Sequence, residues 1–377
     1  MSPGRLFMVD IRLAPWLTLD SDTKFWWWAC RVDLTGLAKP IFRIAKADHY
    51  VLTDGFRLAC WATALDTDVW NDFDYVVSGD SDILFFSNTP INGTFYISHY
   101  PPFPMVRLSR LMDIYSASPY VFETPSSTDL IIGNTTERVS PVDGRTVPSL
   151  PFYGFKITNS ASLNDKNKAV LTCGNHVGES LADWTHHAAI AFLLSADPKA
   201  ASLRDWFEFY VYPCVNPGGK WNGLSIQSPE NVALNHNRQW NTTGSLESID
   251  LLKTTIAADT GSAAEVAIEY HGFADIAYSA GPPSGLAVKA SGEHVLLETA
   301  LQVYDADLDI VDRANPAGSM RDWFSTTLDG GTLEVCMTSE TSHSASYTIA
   351  DCETFGEQLV QALYDLLAAG VFPHGPI

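Results

Sequence analysis

The chain has 377 residues, 46% of them hydrophobic and 18% charged, a composition that describes a folded globular protein with a core large enough to need no staples. The length exceeds one ordinary domain, so two are expected. A formal net charge of −21 argues against any general affinity for nucleic acid or anionic membrane, because phosphate binding needs clustered Lys and Arg.

Residues 1 to 93 read as strands. Leu6 to Leu13, Phe25 to Val32, Tyr50 to Leu52 and Ile83 to Phe86 are aromatic and β-branched, with Asp, Gly and Asn-rich breaks between them. A small all-β sandwich domain is expected here. The adjacent aromatics Phe25 to Trp28 cannot share one strand face, so they are expected in inner-face and interdomain packing. From 94 to 377 strands alternate with helices, which implies a second, α/β domain: a mixed, mostly parallel sheet flanked by helices.

In that second part Met105, Leu108, Met112 and Tyr115 form a helical stripe after Pro104. Ala169 to Cys173 is a short buried strand, and Glu179 to Leu194 a helix with Leu181, Trp184, Ala188 and Ala191 on one face. Phe207 to Val215 and Val266 to Ile268 are further strands, and Phe355, Leu359, Leu363 and Leu366 mark a closing helix.

The six cysteines, at 30, 60, 173, 214, 336 and 352, are scattered without short-range pairs. They read as reduced core thiols of a cytoplasmic protein, although an even count leaves a disulfide or two open. Charged residues interrupt the apolar stretches of residues 1 to 30, leaving no clean signal-peptide core, and no run of about 18 apolar residues suggests a membrane span.

The segment Cys173-Gly-Asn-His-Val-Gly-Glu-Ser180 presents an imidazole and a carboxylate, His176 and Glu179, at the end of an apolar run. Together they suit zinc. Downstream follow Asn216-Pro-Gly-Gly219, Asn237-Arg-Gln-Trp240, Glu269-Tyr-His271-Gly and Thr332-Leu-Glu334, each at a strand end or in a loop. This ordered set resembles the zinc carboxypeptidase family over roughly residues 95 to 377. The short stretch between Glu179 and His271, the Asn-Arg-Gln-Trp tetrapeptide and an upstream Tyr-Pro-Pro-Phe-Pro run look most like the cytosolic carboxypeptidase class and its bacterial relatives.

The resemblance implies a zinc-dependent metallocarboxypeptidase that hydrolyses C-terminal amino acids from peptides or proteins. One zinc per chain would sit on His176, Glu179 and His271, with a position left open for water. Glu334, a carboxylate within an otherwise apolar strand, matches the family's general base, and Glu340 in Thr338-Ser-Glu-Thr341 is the competing candidate. Asn237 and Arg238 match the pair that grips the substrate's terminal carboxylate, for which a planar guanidinium is suited. The implied partner is a peptide or protein C-terminus, with no nucleic acid and no membrane.

The chain departs from the family pattern in three places. Between Pro217 and Asn237 the family offers an oxyanion-stabilising arginine, whereas this chain has only Lys220; Lys220, Arg313 and Arg321 are the candidate substitutes for it or for specificity. Asn235 stands where the family has an Asp behind a zinc-bound histidine, and Asn-Pro-Gly-Gly replaces Asn-Pro-Asp-Gly. Tyr278 and Tyr304, with the same two arginines, are candidates for the specificity pocket. Two rival readings are a zinc deacylase of the aspartoacylase type and a carboxylate-binding module that has lost turnover.

Overall fold

The computed structural model describes residues 5–11, 29–44, 60–64, 66–77, 83–98, 100–140, 144–224, 226–272, 284–288, 294–304, 309–312, 317–328, 333–341 and 348–376. Phe25 to Trp28, Tyr50 to Leu52, Tyr278 and Arg313 lie outside these residues.

Seven strands come first: β1 (Arg5–Ile11), β2 (Ala29–Ile44), β3 (Cys60–Ala62), β4 (Asn71–Asp72), β5 (Asp74–Val77), β6 (Ile83–Phe86) and β7 (Ile91–Ser98). They share one sheet in the order β4-β3-β7-β2-β6-β5, with β1 parallel on β2 and every other pairing antiparallel. The expected domain boundary at 93 falls within β7. Phe42, Phe73 and Phe95 pack edge to face at 5.5 and 6.0 Å between ring centroids, which gives this sheet an aromatic core.

After α1 (Met105–Ser116) come the strands β8 (Val121–Glu123), β9 (Ile131–Asn134), β10 (Arg138–Val139), β11 (Thr146–Val147), β12 (Pro151–Tyr153), β13 (Phe155–Ile157) and β14 (Asn167–Cys173). The chain continues through α2 (Ser180–Leu194), α3 (Pro198–Trp206), β15 (Phe207–Tyr212), α4 (Pro217–Asn222), α5 (Glu247–Thr260) and β16 (Val266–Gly272). It ends with β17 (Ser284–Val288), α6 (His294–Gln302), β18 (Asp309–Asp312), α7 (Met320–Trp323), β19 (Val335–Thr341) and α8 (Ile349–Ala368).

The second sheet has eight strands in the order β18-β17-β19-β16-β14-β15-β13-β8. At its centre β15, β14, β16 and β19 run parallel, so their C-terminal ends open on one edge. Alternation along β14 divides the core. Ala169, Leu171 and Cys173 join a layer with α1, α2, α3, α6 and α8, while Val170 faces α5 and α7. This is the expected mixed, mostly parallel sheet with helices on both faces.

Helix α2 is apolar on nearly every side because it is enclosed between the sheet and α8. Gly356 of α8 permits that closeness, since a Cβ there would lie 2.1 Å from the carbonyl oxygen of Thr185. The N-terminal end of α2 is held by the proline-rich run: Ser180 Oγ and Trp184 Nε1 both donate to the carbonyl of Pro101, at 2.8 and 3.3 Å. Arg107 of α1 lies 4.0 Å over the Trp184 ring and pairs with Asp66 and Asp68. The loop between β3 and β4 is thereby fastened to the helix that follows His176 and Glu179.

Candidate metal centre

At the C-terminal end of β14 the chain turns at Gly174, whose φ of +82° favours glycine. The turn continues with Glu179 N–H donating to the His176 carbonyl at 3.2 Å. This folds His176 and Glu179 onto the same side just before α2 begins. His271 arrives on the neighbouring strand β16, one residue before its end. Gly272 N–H donates to Glu179 Oε2 at 3.1 Å and fixes the carboxylate against the strand.

Three side chains converge. His176 Nδ1 lies 2.9 Å from Glu179 Oε1, and His271 Nε2 lies 3.0 Å from both Glu179 Oε2 and His176 Nδ1. Tetrahedral zinc ligands, at about 2.0–2.1 Å from the ion, are spaced about 3.3 Å apart, so the donor spacing fits the ion to within a few tenths of an ångström. The set is largely buried and carries two imidazoles with a single carboxylate. Bound zinc would keep a net positive charge there.

Each histidine is held from behind. His176 Nε2 donates to Asn235 Oδ1 at 2.9 Å, and the same oxygen accepts from Asn237 N–H at 3.0 Å. A neutral amide oxygen orients the ring without adding the basicity that a carboxylate would. His271 Nδ1 faces Glu269 Oε1 at 3.1 Å. Burial works to raise the Glu269 pKa, but His271, Asn175 and His176 outweigh it and hold the group below its ordinary value. The sequence reading gave Glu269 no role. Its signal was the Glu-x-His spacing on a strand, which puts both side chains on one face.

The remaining candidates divide. Asn237 and Arg238 lie on a short 3₁₀ turn, His236–Arg238, directly after Asn235, which bonds His176. Asn237 is buried and its Oδ1 accepts from Met320 N–H at 2.9 Å, while Arg238 is exposed and bonds its own neighbour's carbonyl, Asn237 O, at 2.8 Å. Arg321 is buried on α7 beside Met320. The Tyr304 hydroxyl accepts from Lys199 on α3 and donates to Asp365 on α8.

Two expectations are corrected. Lys220, considered as an oxyanion donor, is buried in an ion pair with Asp183 at 2.6 Å and also donates to Phe103 O at 3.3 Å. Burial alone would lower its pKa, but Asp183 beside it raises it instead. An ammonium so committed fastens α4 to α2. Glu334, expected as the base, stands at the wrong end of the sheet: its N–H donates to Glu265 O at 2.9 Å, next to the start of β16. His271 is six residues farther along, about 20 Å at strand rise. Glu340 instead is the register partner of His271 across β16 and β19. The reason is that β19 does not stop at its apolar half but continues through Thr338 to Thr341.

Comparison with known proteins agrees with the motif reading. A family model described as zinc carboxypeptidase matches residues 133–260, a segment that contains His176, Glu179, Asn237 and Arg238. Human cytosolic carboxypeptidase 4 is 28% identical over 149 residues, which are 38% of this chain and only 13% of that protein. A metallo-carboxypeptidase structure from Burkholderia cenocepacia superposes with a TM-score of 0.71 at 16% identity, covering 92% of this chain and 90% of that one. One from Pseudomonas aeruginosa, in complex with (2-guanidinoethylmercapto)succinic acid, gives 0.71 at 16% identity over 96% and 94%. At such identities the structures establish the fold. Residues 133–260 are thus similar to the zinc carboxypeptidase family, and the fold is similar to that of the bacterial metallocarboxypeptidase structures.

Proposed function

We propose that this chain is a zinc-dependent metallocarboxypeptidase that removes C-terminal amino acids from peptides or proteins. The observation that carries the reading is the convergence of His176 Nδ1, Glu179 and His271 Nε2 at the C-terminal ends of β14 and β16. Parallel sheets present ligand sites at that edge. His176, Glu179 and His271 would hold the ion, which when bound supplies Lewis acidity to a scissile carbonyl and to an attacking water.

The protein's own groups do the rest. Asn235 and Glu269 keep the two imidazoles aimed at a common point. Glu340, beside His271, is the proposed general base, taking the proton of the attacking water and returning it to the leaving amine. Arg238 and Asn237 are proposed to hold the substrate's terminal carboxylate, with Arg238 offering an exposed guanidinium. With Lys220 committed to Asp183, Arg321 is the remaining described candidate for the oxyanion or for side-chain selection. A cytoplasmic location belongs to the same proposal, supported by the similarity to human cytosolic carboxypeptidase 4. Among the described residues no helix is long and apolar enough to cross a membrane.

Elemental analysis is the test. Protein purified without added metal should carry about one zinc per chain, and His271→Ala should lose it while remaining folded. Folded wild-type protein that contains no transition metal and takes up none would contradict the reading.

A further inference from the structure

Behind the three converging side chains lies a buried chain of polar groups that the proposed reaction does not use directly. Asn175 is 1% exposed and sits between four partners. Its Oδ1 is 3.0 Å from Trp240 Nε1 and 2.8 Å from His236 Nδ1, and its Nδ2 is 2.7 Å from Glu269 Oε1 and 3.2 Å from Met320 Sδ. Trp240 and His236 are wholly buried. Glu269 Oε2 also accepts from Thr338 Oγ1 at 3.3 Å.

The chemistry of the end members determines every proton between them. An indole N–H only donates, so the Asn175 group facing Trp240 must be the carbonyl oxygen. That fixes the amide orientation and makes Asn175 Nδ2 a donor to Glu269. The same oxygen can only accept, so His236 carries its proton on Nδ1. Burial keeps the His236 ring neutral, with its pKa lowered to about 3, and its bare Nε2 then accepts from Ser248 Oγ at 3.3 Å. Glu269, an acceptor at both oxygens, requires the proton of His271 on Nδ1. His271 Nε2 is therefore left with its lone pair turned toward His176 and Glu179.

We infer that Trp240, acting through Asn175 and Glu269, is a positioning residue that sets the ring orientation and tautomer of His271. For its purpose the inference rests on the zinc reading of the site. It gives the tryptophan of the Asn-Arg-Gln-Trp tetrapeptide a role separate from that of Arg238: Arg238 faces solvent, while Trp240 faces the core behind the metal ligands.

The test uses the full chain with ¹⁵N-labelled histidine, first treated with chelator. Wild-type protein should show His271 and His236 each protonated on Nδ1, with His271 assigned from the signals absent in His271→Ala. Trp240→Phe keeps a ring against Trp323 but removes the N–H, and Asn175→Leu removes the whole junction. Without the indole N–H the Asn175 amide is free to turn over, and without Asn175 the Glu269 Oε1 loses its amide donor, so in both variants Glu269 is no longer fixed against His271 and the ring should become a mixture of tautomers. Zinc affinity, measured by chelator competition, should fall about 10- to 100-fold, and the absorption bands of the cobalt-substituted protein should shift. Variants that stay folded, keep the wild-type tautomers and bind zinc within about twofold of wild type would overturn the inference. If Asn175→Leu fails to fold, Trp240→Phe decides. Wild-type protein with the stated tautomers but no zinc uptake would uphold the relay and reject the zinc reading, so the two failures are distinguishable.

Discussion

Glu340 is the register partner of His271 across the parallel strands β16 and β19. The site edge of this sheet is its C-terminal edge, so a residue's distance from the site is set by how far along its strand it lies. Glu340 is level with the third metal-ligand candidate, and Glu334 is a strand length away.

Glu340→Gln should therefore abolish most turnover while leaving metal content unchanged, because the amide keeps the shape and cannot take the proton. Glu334→Gln should leave the rate within a few-fold of wild type. Parallel assays of kcat and zinc content decide between them, and the reverse ranking would return the base to Glu334.

The buried pair of Lys220 and Asp183 makes a prediction about stability. Lys220→Met leaves Asp183 buried without its counter-ion, so unfolding free energy measured in urea should drop by about 3–5 kcal/mol. A double variant, Lys220→Met with Asp183→Leu, should recover much of the loss. If the single substitution is nearly neutral, the pair does not fasten α4 to α2.

Acidification should destabilise the protein through His186 and His187 of α2. Burial lowers their pKa values to about 3 and about 4; for His187 the Arg107 charge adds to the effect while Asp68 opposes it. The unfolded chain takes up protons near pH 6.5 and the folded chain does not, so stability is full above about 6.5 and falls below it. Each histidine contributes a slope of about 1.4 kcal/mol per pH unit until its folded value is reached. His187→Gln should reduce the slope of urea stability between pH 6 and pH 4.5 by about that amount relative to wild type. An unchanged slope would show that His187 titrates normally in the folded state.

Much of this site was legible in the sequence because its signals are local. His176 and Glu179 are three residues apart at the end of an apolar run, and the strand pattern of Val266 to Ile268 points straight to His271. The alternation of strands and helices after residue 94 likewise gave the sheet and its flanking layers. What local pattern could not give was pairing across the chain. Lys220 looked available until Asp183, 37 residues away in sequence, proved to hold it. Asn175 carries no local signal of its role, because Trp240 and Glu269 reach it from 65 and 94 residues away. Glu334 matches the family's base because its strand precedes a loop and the closing helix, but that order does not say how far along the strand the site lies, and β19 carries Glu340 level with His271.

The most direct measurement of the central claim compares a short peptide bearing a free C-terminus with its C-terminally amidated twin, following release of the last residue by mass spectrometry with and without chelator. The acid should be trimmed, the amide largely spared, and chelation should stop the reaction until zinc is restored, since the amide forfeits charge-assisted bonds of about 1.5–3 kcal/mol each. Arg238→Ala should narrow the gap by slowing the acid. Equal rates on acid and amide, or trimming that survives removal of the metal, would contradict the assignment of this chain as a zinc carboxypeptidase.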